Sequence, residues 1–136
     1  MHEKTTGCAL PSVAALAYLG DARHSLYVRR MLVGRGISKS GELNRESLKY
    51  VTAEAQSLMF SKIEGLLCDD ERDVARRAQN STHLNAPKHA RLSEYRRATG
   101  FEAVIGMLEF LGDEERLSEL LRVAHSETDN KKDEEI

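Results

Sequence analysis

The sequence predicts a single all-α domain, and three observations lead to that prediction. The chain has 136 residues, a length that suits one domain with one hydrophobic core. It contains only two prolines and no tryptophan, and it is rich in the helix-forming residues Leu, Ala, Arg and Glu. Aromatic residues make up 5% of the chain, fewer than a β-sandwich of this size would need. We therefore expect helices throughout.

The first predicted helix has the clearest apolar period. Apolar residues recur at steps of three and four over 13–31, and Ser12 directly before them is typical of a helix start. Gly34 follows the last periodic residue, as is common at a helix end. The pattern predicts a helix over 11–33, and within it His24 is expected to be packed or interfacial rather than a metal ligand.

The apolar pattern predicts four further helices. The second covers 40–67, and the residues expected to face inward on it are Leu43, Leu48, Val51, Ala55, Leu58 and Met59. The third begins at Asp69 and Asp70, because acidic side chains favour a helix N-terminus, and it ends near position 79. The last two helices cover 92–111 and 113–125.

Two segments lack an apolar period. Residues 80–90 are small and polar and include Pro87, which predicts the main loop. Residues 127–136 are mostly charged and acidic, which predicts a disordered tail. We therefore expect one globular domain over 8–126, followed by that tail.

The composition also limits the kinds of function that the chain can have. Hydrophobic residues make up 40% and charged residues 31%, which excludes a disordered or low-complexity protein. The formal net charge is −2, so any contact with nucleic acid must use a local basic patch. Cys8 and Cys68 lie far apart, which argues against a disulfide framework or zinc site and fits a reducing cytoplasm. The uncharged stretch 5–20 is too short to span a bilayer, so we expect no membrane segment.

Two carboxylates lie in unusual positions on the most apolar helices. Asp21 directly follows Gly20 at the edge of the first apolar stripe, and Glu102 lies one turn before Gly106 in the fourth helix. A partly buried carboxylate becomes protonated, pairs with a cation or binds a metal, because desolvating its charge alone is unfavourable. Two interpretations follow. The residues are solvated or paired with arginines at helix margins, or together they hold Mg²⁺, which takes one or two protein carboxylates plus phosphate oxygens.

One segment of the chain is basic although the chain as a whole is slightly acidic. Over 72–97 there are seven Lys and Arg residues against two acidic residues, a net charge of +5. The basic residues are Arg72, Arg76, Arg77, Lys88, Arg91, Arg96 and Arg97. This segment is either a solvated helix face with i,i+4 ion pairs or a surface that binds a phosphate backbone.

Several motifs resemble one known family. Leu-Ala-Tyr-Leu-Gly-Asp-Ala at 16–22 resembles the signature helix of the ribonuclease III catalytic domain, in particular its short bacterial form, the Mini-ribonuclease III family. Thr-Gly-Phe-Glu-Ala-Val-Ile-Gly at 99–106 resembles the second acidic motif of that family. Val-Thr-Ala at 51–53 with Gln56, and Arg-Arg at 76–77, also match in order and spacing. The resemblance covers 10–123, nearly all of the predicted domain.

The resemblance implies an all-α ribonuclease III catalytic domain that acts as a homodimer. Asp21 and Glu102 would be the catalytic carboxylates and the ligands of Mg²⁺, for which Mn²⁺ would substitute. Each protomer would cut one strand of double-stranded RNA, leaving 5′-phosphate and 3′-hydroxyl ends. Tyr18 and Leu19 would lie at the dimer interface, although Tyr18 would also suit a core position.

The basic segment is expected to contact the phosphate backbone of the RNA. The residues implied to bind RNA are Arg72, Arg76, Arg77, Asn80, Lys88 and Arg96. The resemblance further implies a cytoplasmic enzyme that processes the 23S ribosomal RNA precursor, with a ribosomal protein as a further partner and no membrane association. Recognition would depend mainly on the shape of A-form RNA.

The sequence also departs from the ribonuclease III pattern at several positions. Ala17 and Thr99 stand where the longer family members have two further acidic residues, a reduction that the short family shares. Ser25 stands where the short family commonly has Glu, and Arg-Ala-Gln-Asn at 77–80 replaces Arg-Gly-Arg-Asn. These changes motivate an alternative, a weakly active or inactive ribonuclease III-like dimer that binds structured RNA or the ribosome. A helical protein-interaction adaptor is a third possibility.

Overall fold

The structure is a computed structural model, and it describes residues 9–81 and 91–127. Within these two ranges it contains helices and no strand, so the prediction of an all-α fold is confirmed. The helices are α1 (Val13–Gly34), α2 (Ser40–Val51), α3 (Ala53–Ile63), α4 (Asp69–Asn80), α5 (Leu92–Leu111) and α6 (Glu114–Ala124), with a short 3₁₀ helix (Glu64–Leu66) after α3. None of the described helices is long and apolar enough to cross a membrane.

Helix α5 is the centre of the domain. Nine of its residues are buried, including the continuous run Ala103–Leu108, so it is surrounded on nearly all sides. Helices α1, α3 and α4 all pack against it. Helix α1 begins two residues later than predicted, because Ser12 is its N-cap and the Ser12 side chain accepts a hydrogen bond from the backbone nitrogen of Ala15 at 3.1 Å. Its buried residues recur at steps of one, three and four along one face, which directs that face toward α5.

Helices α1 and α5 touch through their backbones. A Cβ atom added at Gly20 would lie 1.7 Å from the backbone oxygen of Glu102, and one added at Gly106 would lie 1.8 Å from that of Leu16. Only glycine leaves room for so close an approach. The contact places Asp21, next to Gly20 in the chain, on the same side of the domain as Glu102.

The prediction of one long second helix is wrong. Thr52 has an extended backbone (φ −72°, ψ 161°), and its side chain accepts a hydrogen bond from the backbone nitrogen of Ala55, so it ends α2 and begins α3. The break changes the helix direction and ends the common face that an unbroken helix would have had. Leu48 and Leu58 are therefore exposed, at 58% and 62%, and not inward-facing as expected, whereas Met59 is buried.

Helix α4 begins at Asp69 as predicted, but the prediction that Asp69 and Asp70 cap it is wrong. Cys68, not an aspartate, is the N-cap, and its backbone nitrogen donates to the Glu71 carboxylate at 2.9 Å. Asp69 and Asp70 lie in the first turn, where negative charge is still favourable. Glu71 is only 3% exposed and pairs with Arg116 of α6 at 2.8 Å. Burial opposes ionisation, but the hydrogen bonds from Arg116 and Cys68 leave the pKa of Glu71 below its ordinary value.

The remaining helices follow the sequence closely. Helix α5 has the predicted bounds, and α6 begins after Asp113, which caps it through the backbone nitrogen of Arg116. Most of the predicted loop, over 82–90, and all but the first residue of the predicted tail lie outside the described residues. The domain bounds 8–126 therefore stay a prediction.

The backbone contact predicts that Gly20→Ala is strongly destabilising. The new methyl group would overlap the Glu102 carbonyl, and because both contacting groups are backbone, α1 and α5 must separate. We expect a loss of about 3 kcal/mol or more in the free energy of unfolding, at the upper end for overpacked cores. Urea unfolding measures this loss.

Gly34→Ala is the matched control on the same helix. No atom lies within 4 Å of a Cβ at that position, so the replacement should be neutral or stabilising by up to about 1 kcal/mol. Equal unfolding midpoints for Gly20→Ala and Gly34→Ala would contradict the proposed close contact.

Candidate active site

The two carboxylates that the sequence singled out meet at the contact between α1 and α5. Their side chains hydrogen-bond each other, so the structure brings Asp21 and Glu102 together. Asp21 is exposed, contrary to the expectation that it is partly buried, because it lies on the outer edge of α1. Glu102 is the partly buried partner. The site thus has one carboxylate open to solvent and one shielded by the protein.

The setting of Glu102 disfavours its negative charge. Burial and the neighbouring charge of Asp21 raise the pKa of Glu102 to about 8, and a hydrogen bond from Gln56 acts in the opposite direction. Two carboxylates in contact repel each other unless they share a proton or a cation. In the metal-free protein near neutral pH the pair therefore holds a proton, which a divalent cation can replace.

The described residues show how such a cation could be held. They contain no ion pair between a Lys or Arg side chain and either Asp21 or Glu102, so the arginine-paired interpretation fails for this part of the chain. They also contain no cluster of three or more His, Cys, Asp or Glu side chains arranged to bind a metal. Two oxygen ligands with the remaining positions left to water and phosphate suit Mg²⁺, which dehydrates reluctantly.

A chain of buried polar side chains continues from Glu102 into the domain. Gln56 of α3, 2% exposed, hydrogen-bonds Glu102, and its Nε2 lies 3.1 Å from Nδ1 of His24, which is fully buried. The Nε2 of His24 lies 2.9 Å from Nε2 of His125. Burial, and after it the charge of His125, lowers the pKa of His24 to about 3. Burial, and after it the charges of Lys62 and Arg35, lowers the pKa of His125 to about 4. Both imidazoles are therefore neutral at pH 7.

Sequence reasoning assigned no role to this chain of residues. His24 was expected only to be packed or interfacial, and the structure shows that it is packed, with its ring edge against Phe101 at a centroid distance of 5.0 Å. Gln56 appeared only within a matching segment. The available signal was a polar amide at a position of α3 that faces the most buried helix, but a single sequence does not show which polar group it meets.

Helix α4 carries most of the expected RNA-binding residues. Arg72, Arg76 and Arg77 are exposed, and each pairs within the helix, the first with Asp69 at 3.0 Å and the other two with Asp73. These pairs are the i,i+3 and i,i+4 contacts of a solvated face. They also leave the three guanidinium groups accessible to solvent.

The other candidates for RNA binding are Asn80, Arg96 and Lys88. Asn80 is the exposed last residue of α4. Helix α4 packs on α5 at Gly100, two residues from Glu102, where an added Cβ would lie 3.3 Å from the Ala75 carbonyl oxygen. Arg96 is partly buried on α5, and its Nε has no hydrogen-bond partner among the described residues. Lys88 lies outside the described residues.

The positions expected at the dimer interface differ in exposure. Tyr18 is 84% exposed, so the interpretation of it as a core tyrosine is wrong, and Leu19 is partly buried. Thr99, at the position of a further acidic residue in longer family members, donates its hydroxyl to the Tyr95 carbonyl oxygen at 2.9 Å. Ala17 is buried. Neither Ala17 nor Thr99 adds a carboxylate to the site.

Comparison with known proteins identifies the class. Residues 14–113 match the family model described as the ribonuclease III domain. This match confirms the prediction of an endoribonuclease, an enzyme of the class that acts on double-stranded RNA, forms dimers and generally uses divalent metal ions. It removes the interpretation of the chain as a helical adaptor.

Individual relatives narrow the assignment. The Mini-ribonuclease 3 of Symbiobacterium thermophilum is 44% identical over 109 residues, which cover 80% of this chain and 84% of that protein. The Mini-ribonuclease 3 of a Thermoanaerobacter species is 39% identical over 113 residues, 83% of this chain and 80% of that one. A protein from Fusobacterium nucleatum with a known crystal structure shares 31% sequence identity with this chain. The two folds superpose with a TM-score of 0.75, and the match covers 82% of this chain and 89% of that one. The chain belongs to the Mini-ribonuclease III family.

The shifted pKa values predict that the metal-free protein is most stable near pH 6.5. Below that pH His24 and His125 become protonated in the unfolded chain but stay neutral in the folded chain. The free energy of unfolding therefore falls as the pH decreases. Between its ordinary value of 4.5 and about 8, Glu102 binds a proton only in the folded state, so stability falls as the pH rises from 6.5. Below pH 6.5 the two protons bound only by the unfolded chain outnumber the one proton that Glu102 binds only in the folded chain, so the net effect of acid is destabilising.

Urea unfolding in a chelator, from mildly acidic to mildly alkaline pH, measures both limbs. Glu102→Gln should remove the alkaline limb, which is worth at most about 1.4 kcal/mol per pH unit. It should also make the acidic limb steeper, because the carboxyl no longer offsets one of the two imidazoles. Glu115→Gln, at an exposed position of α6, should change neither limb. An unchanged alkaline limb in Glu102→Gln would contradict the raised pKa.

Proposed function

We propose that the chain is a Mg²⁺-dependent endoribonuclease in which Asp21 and Glu102 are the catalytic carboxylates and metal ligands, with Mn²⁺ able to substitute. The observation that carries the proposal is the contact between these two side chains at the glycine crossing of α1 and α5. The exposure of Asp21 supports it, because a ligand shared between protein and RNA must reach the surface.

The roles of the chain's own residues follow from their settings. The proton held between Asp21 and Glu102 leaves when a cation binds, which gives the pair its full negative charge. When bound, Mg²⁺ supplies an activated water and neutralises charge on the non-bridging and leaving oxygens of the phosphodiester. The buried side of Glu102 keeps that carboxylate fixed, and Asp21 faces the substrate. Hydrolysis leaves 5′-phosphate and 3′-hydroxyl ends.

Cleavage of both RNA strands requires two sites, which a homodimer of this chain supplies. Tyr18 supports an interface at α1, because an aromatic side chain that is 84% exposed gains free energy when it is covered. Leu19, beside it and partly buried, would extend that surface. A two-fold axis near Tyr18 would bring two Asp21–Glu102 pairs into one symmetric arrangement, as the two-fold symmetry of an RNA duplex requires.

The basic surface of α4 is proposed to bind the RNA backbone. Arg72, Arg76 and Arg77 are accessible, and exposed ion pairs such as theirs contribute only about 0 to 1 kcal/mol, so phosphate can compete for the guanidinium groups. The remaining residues proposed for this contact are Asn80, Lys88 and Arg96. Because these residues meet phosphates rather than base edges, recognition would depend on RNA shape.

The proposed substrate is the 23S ribosomal RNA precursor in the bacterial cytoplasm. This proposal comes from the resemblance to the Mini-ribonuclease III family, and it includes a ribosomal protein as a partner that adds selectivity. The alternative is a weakly active or inactive dimer that binds structured RNA. Ser25 in place of the family's common Glu favours that alternative.

Asp21→Asn and Glu102→Gln should each lower Mg²⁺-dependent cleavage of a duplex RNA by about 100-fold or more, as the loss of a charge-stabilising group does elsewhere. Gel analysis with and without Mg²⁺ measures this loss. The dimer, measured by sedimentation, and RNA binding in the absence of metal should remain.

Glu115→Gln, an exposed acid outside the site, serves as the control and should cleave like the parent. Equal cleavage by the parent and Asp21→Asn would refute the catalytic assignment. A parent that binds duplex RNA but does not cut it at any Mg²⁺ concentration would establish the inactive alternative.

Arg76→Ala and Arg77→Ala should weaken RNA binding and flatten its dependence on salt. Each lost phosphate contact lowers the slope of log affinity against log salt by roughly one unit at most. Arg122→Ala removes the same charge from an exposed position of α6, and its slope should match that of the parent. Equal slopes for all three variants would locate the binding surface elsewhere.

A further inference from the structure

Gln56 occupies a junction between three helices. It lies on α3, and its side-chain nitrogen is within hydrogen-bond distance of His24 on α1, while its side chain also bonds Glu102 on α5. The residue is 2% exposed, so water is not available to replace either partner. The NH₂ group of Gln56 has two hydrogens, and its two partners use both of them.

The hydrogen-bond chain has one consistent arrangement of protons. The Glu102 carboxylate accepts, so Gln56 must present its NH₂ group and not its oxygen. Nδ1 of His24 then accepts the second hydrogen of that group, which leaves the proton of His24 on Nε2. That proton is donated to Nε2 of His125, whose own proton is consequently on Nδ1.

The opposite orientation of the amide would be unfavourable. It would set the Gln56 oxygen against a carboxylate oxygen of Glu102, and His24 would have to carry its proton on Nδ1 to donate to that amide oxygen. In known metal sites, a residue that hydrogen-bonds a metal ligand commonly fixes the orientation of that ligand and tunes its basicity. A donating Gln56 amide would act on Glu102 in the same way.

We propose that Gln56 is a positioning residue for the Glu102 carboxylate, and that the buried His24 and the partly buried His125 hold the Gln56 amide in its donating orientation. This inference rests on the proposed role of Glu102 as a metal ligand. The amide hydrogen bond stabilises the negative form of a carboxylate that burial and Asp21 disfavour. It also fixes one carboxylate oxygen, which directs the other toward the cation.

A purely structural role makes a different prediction. If the three side chains only filled the core, their replacement would lower the stability of the domain and leave the affinity of the folded protein for metal unchanged. Metal affinity measured on folded protein, in the absence of RNA, therefore separates the two roles.

Gln56→Met tests the donor, because methionine is close in volume and cannot donate. Calorimetric titration with Mn²⁺ alone should show an affinity roughly 10- to 100-fold weaker than that of the parent, the usual effect of losing a group behind a metal ligand. Ser57→Ala changes a neighbouring buried polar residue of the same helix and should leave the affinity unchanged. Cleavage by Gln56→Met should be recovered at higher Mg²⁺ concentration, with an unchanged KM for RNA.

His24 offers a second comparison. His24→Asn keeps an oxygen acceptor at the position along the side chain that Nδ1 occupies, whereas His24→Leu removes it. We expect Mn²⁺ affinity close to that of the parent for His24→Asn and a loss like that of Gln56→Met for His24→Leu. Equal affinities in these two variants would overturn the role of His24.

The unmodified protein provides a test that needs no variant. Nitrogen-15 NMR of the imidazole rings should show the proton of His24 on Nε2 and that of His125 on Nδ1. A proton on Nδ1 of His24 would overturn the inference, and so would parental Mn²⁺ affinity in folded Gln56→Met. Loss of Mn²⁺ binding in Glu102→Gln beside parental binding in Gln56→Met would reject the positioning role alone. Parental binding in Glu102→Gln would reject the proposed metal site itself.

Discussion

The backbone contact between α1 and α5 is the constraint on which the site depends. At Gly20 and Gly106 the backbones of the two helices are in direct contact. A Cβ atom added at either glycine would lie within 2 Å of the carbonyl oxygen that faces it. Such an approach makes the distance between the two helices a property of the main chain. Asp21 and Glu102, each close to the crossing in sequence, are brought together by this distance rather than by the packing of flexible side chains.

Burial acts in the same direction on two acidic side chains of the domain, but their pKa values shift in opposite directions. Glu71 is almost completely buried, yet its pKa is lowered, because Arg116 and the backbone of Cys68 supply hydrogen bonds to its charged form. Glu102 is less buried, yet its pKa is raised, because burial and the neighbouring Asp21 carboxylate both disfavour its charge and one hydrogen bond from Gln56 does not offset them. The first arrangement is complete without a further ion and joins α4 to α6. The second has no Lys or Arg partner among the described residues, which agrees with the proposed role of Glu102 as a metal ligand.

The sequence predicted well what depends on local pattern. The bounds of α5 and the start of α1 follow from apolar period and capping residues, and the proximity of Asp21 and Glu102 follows from two motifs beside small residues. It failed where the outcome depends on a tertiary partner. From the sequence alone, Thr52 could equally continue one helix or begin a new one. It begins a new one because α3 packs against α5, and that contact is not visible in the local sequence. Gln56 carried no visible role because its partners come from two other helices.

The paired arginines of α4 have a consequence for the surface that they form. Arg76 and Arg77 share one acidic partner, Asp73, whose pKa is lowered by the hydrogen bond and charge of these neighbours. Two adjacent guanidinium groups would otherwise repel each other. The shared aspartate offsets part of this repulsion. In the proposed RNA complex a phosphate would replace it as the partner of both guanidinium groups, at little cost because exposed ion pairs are weak.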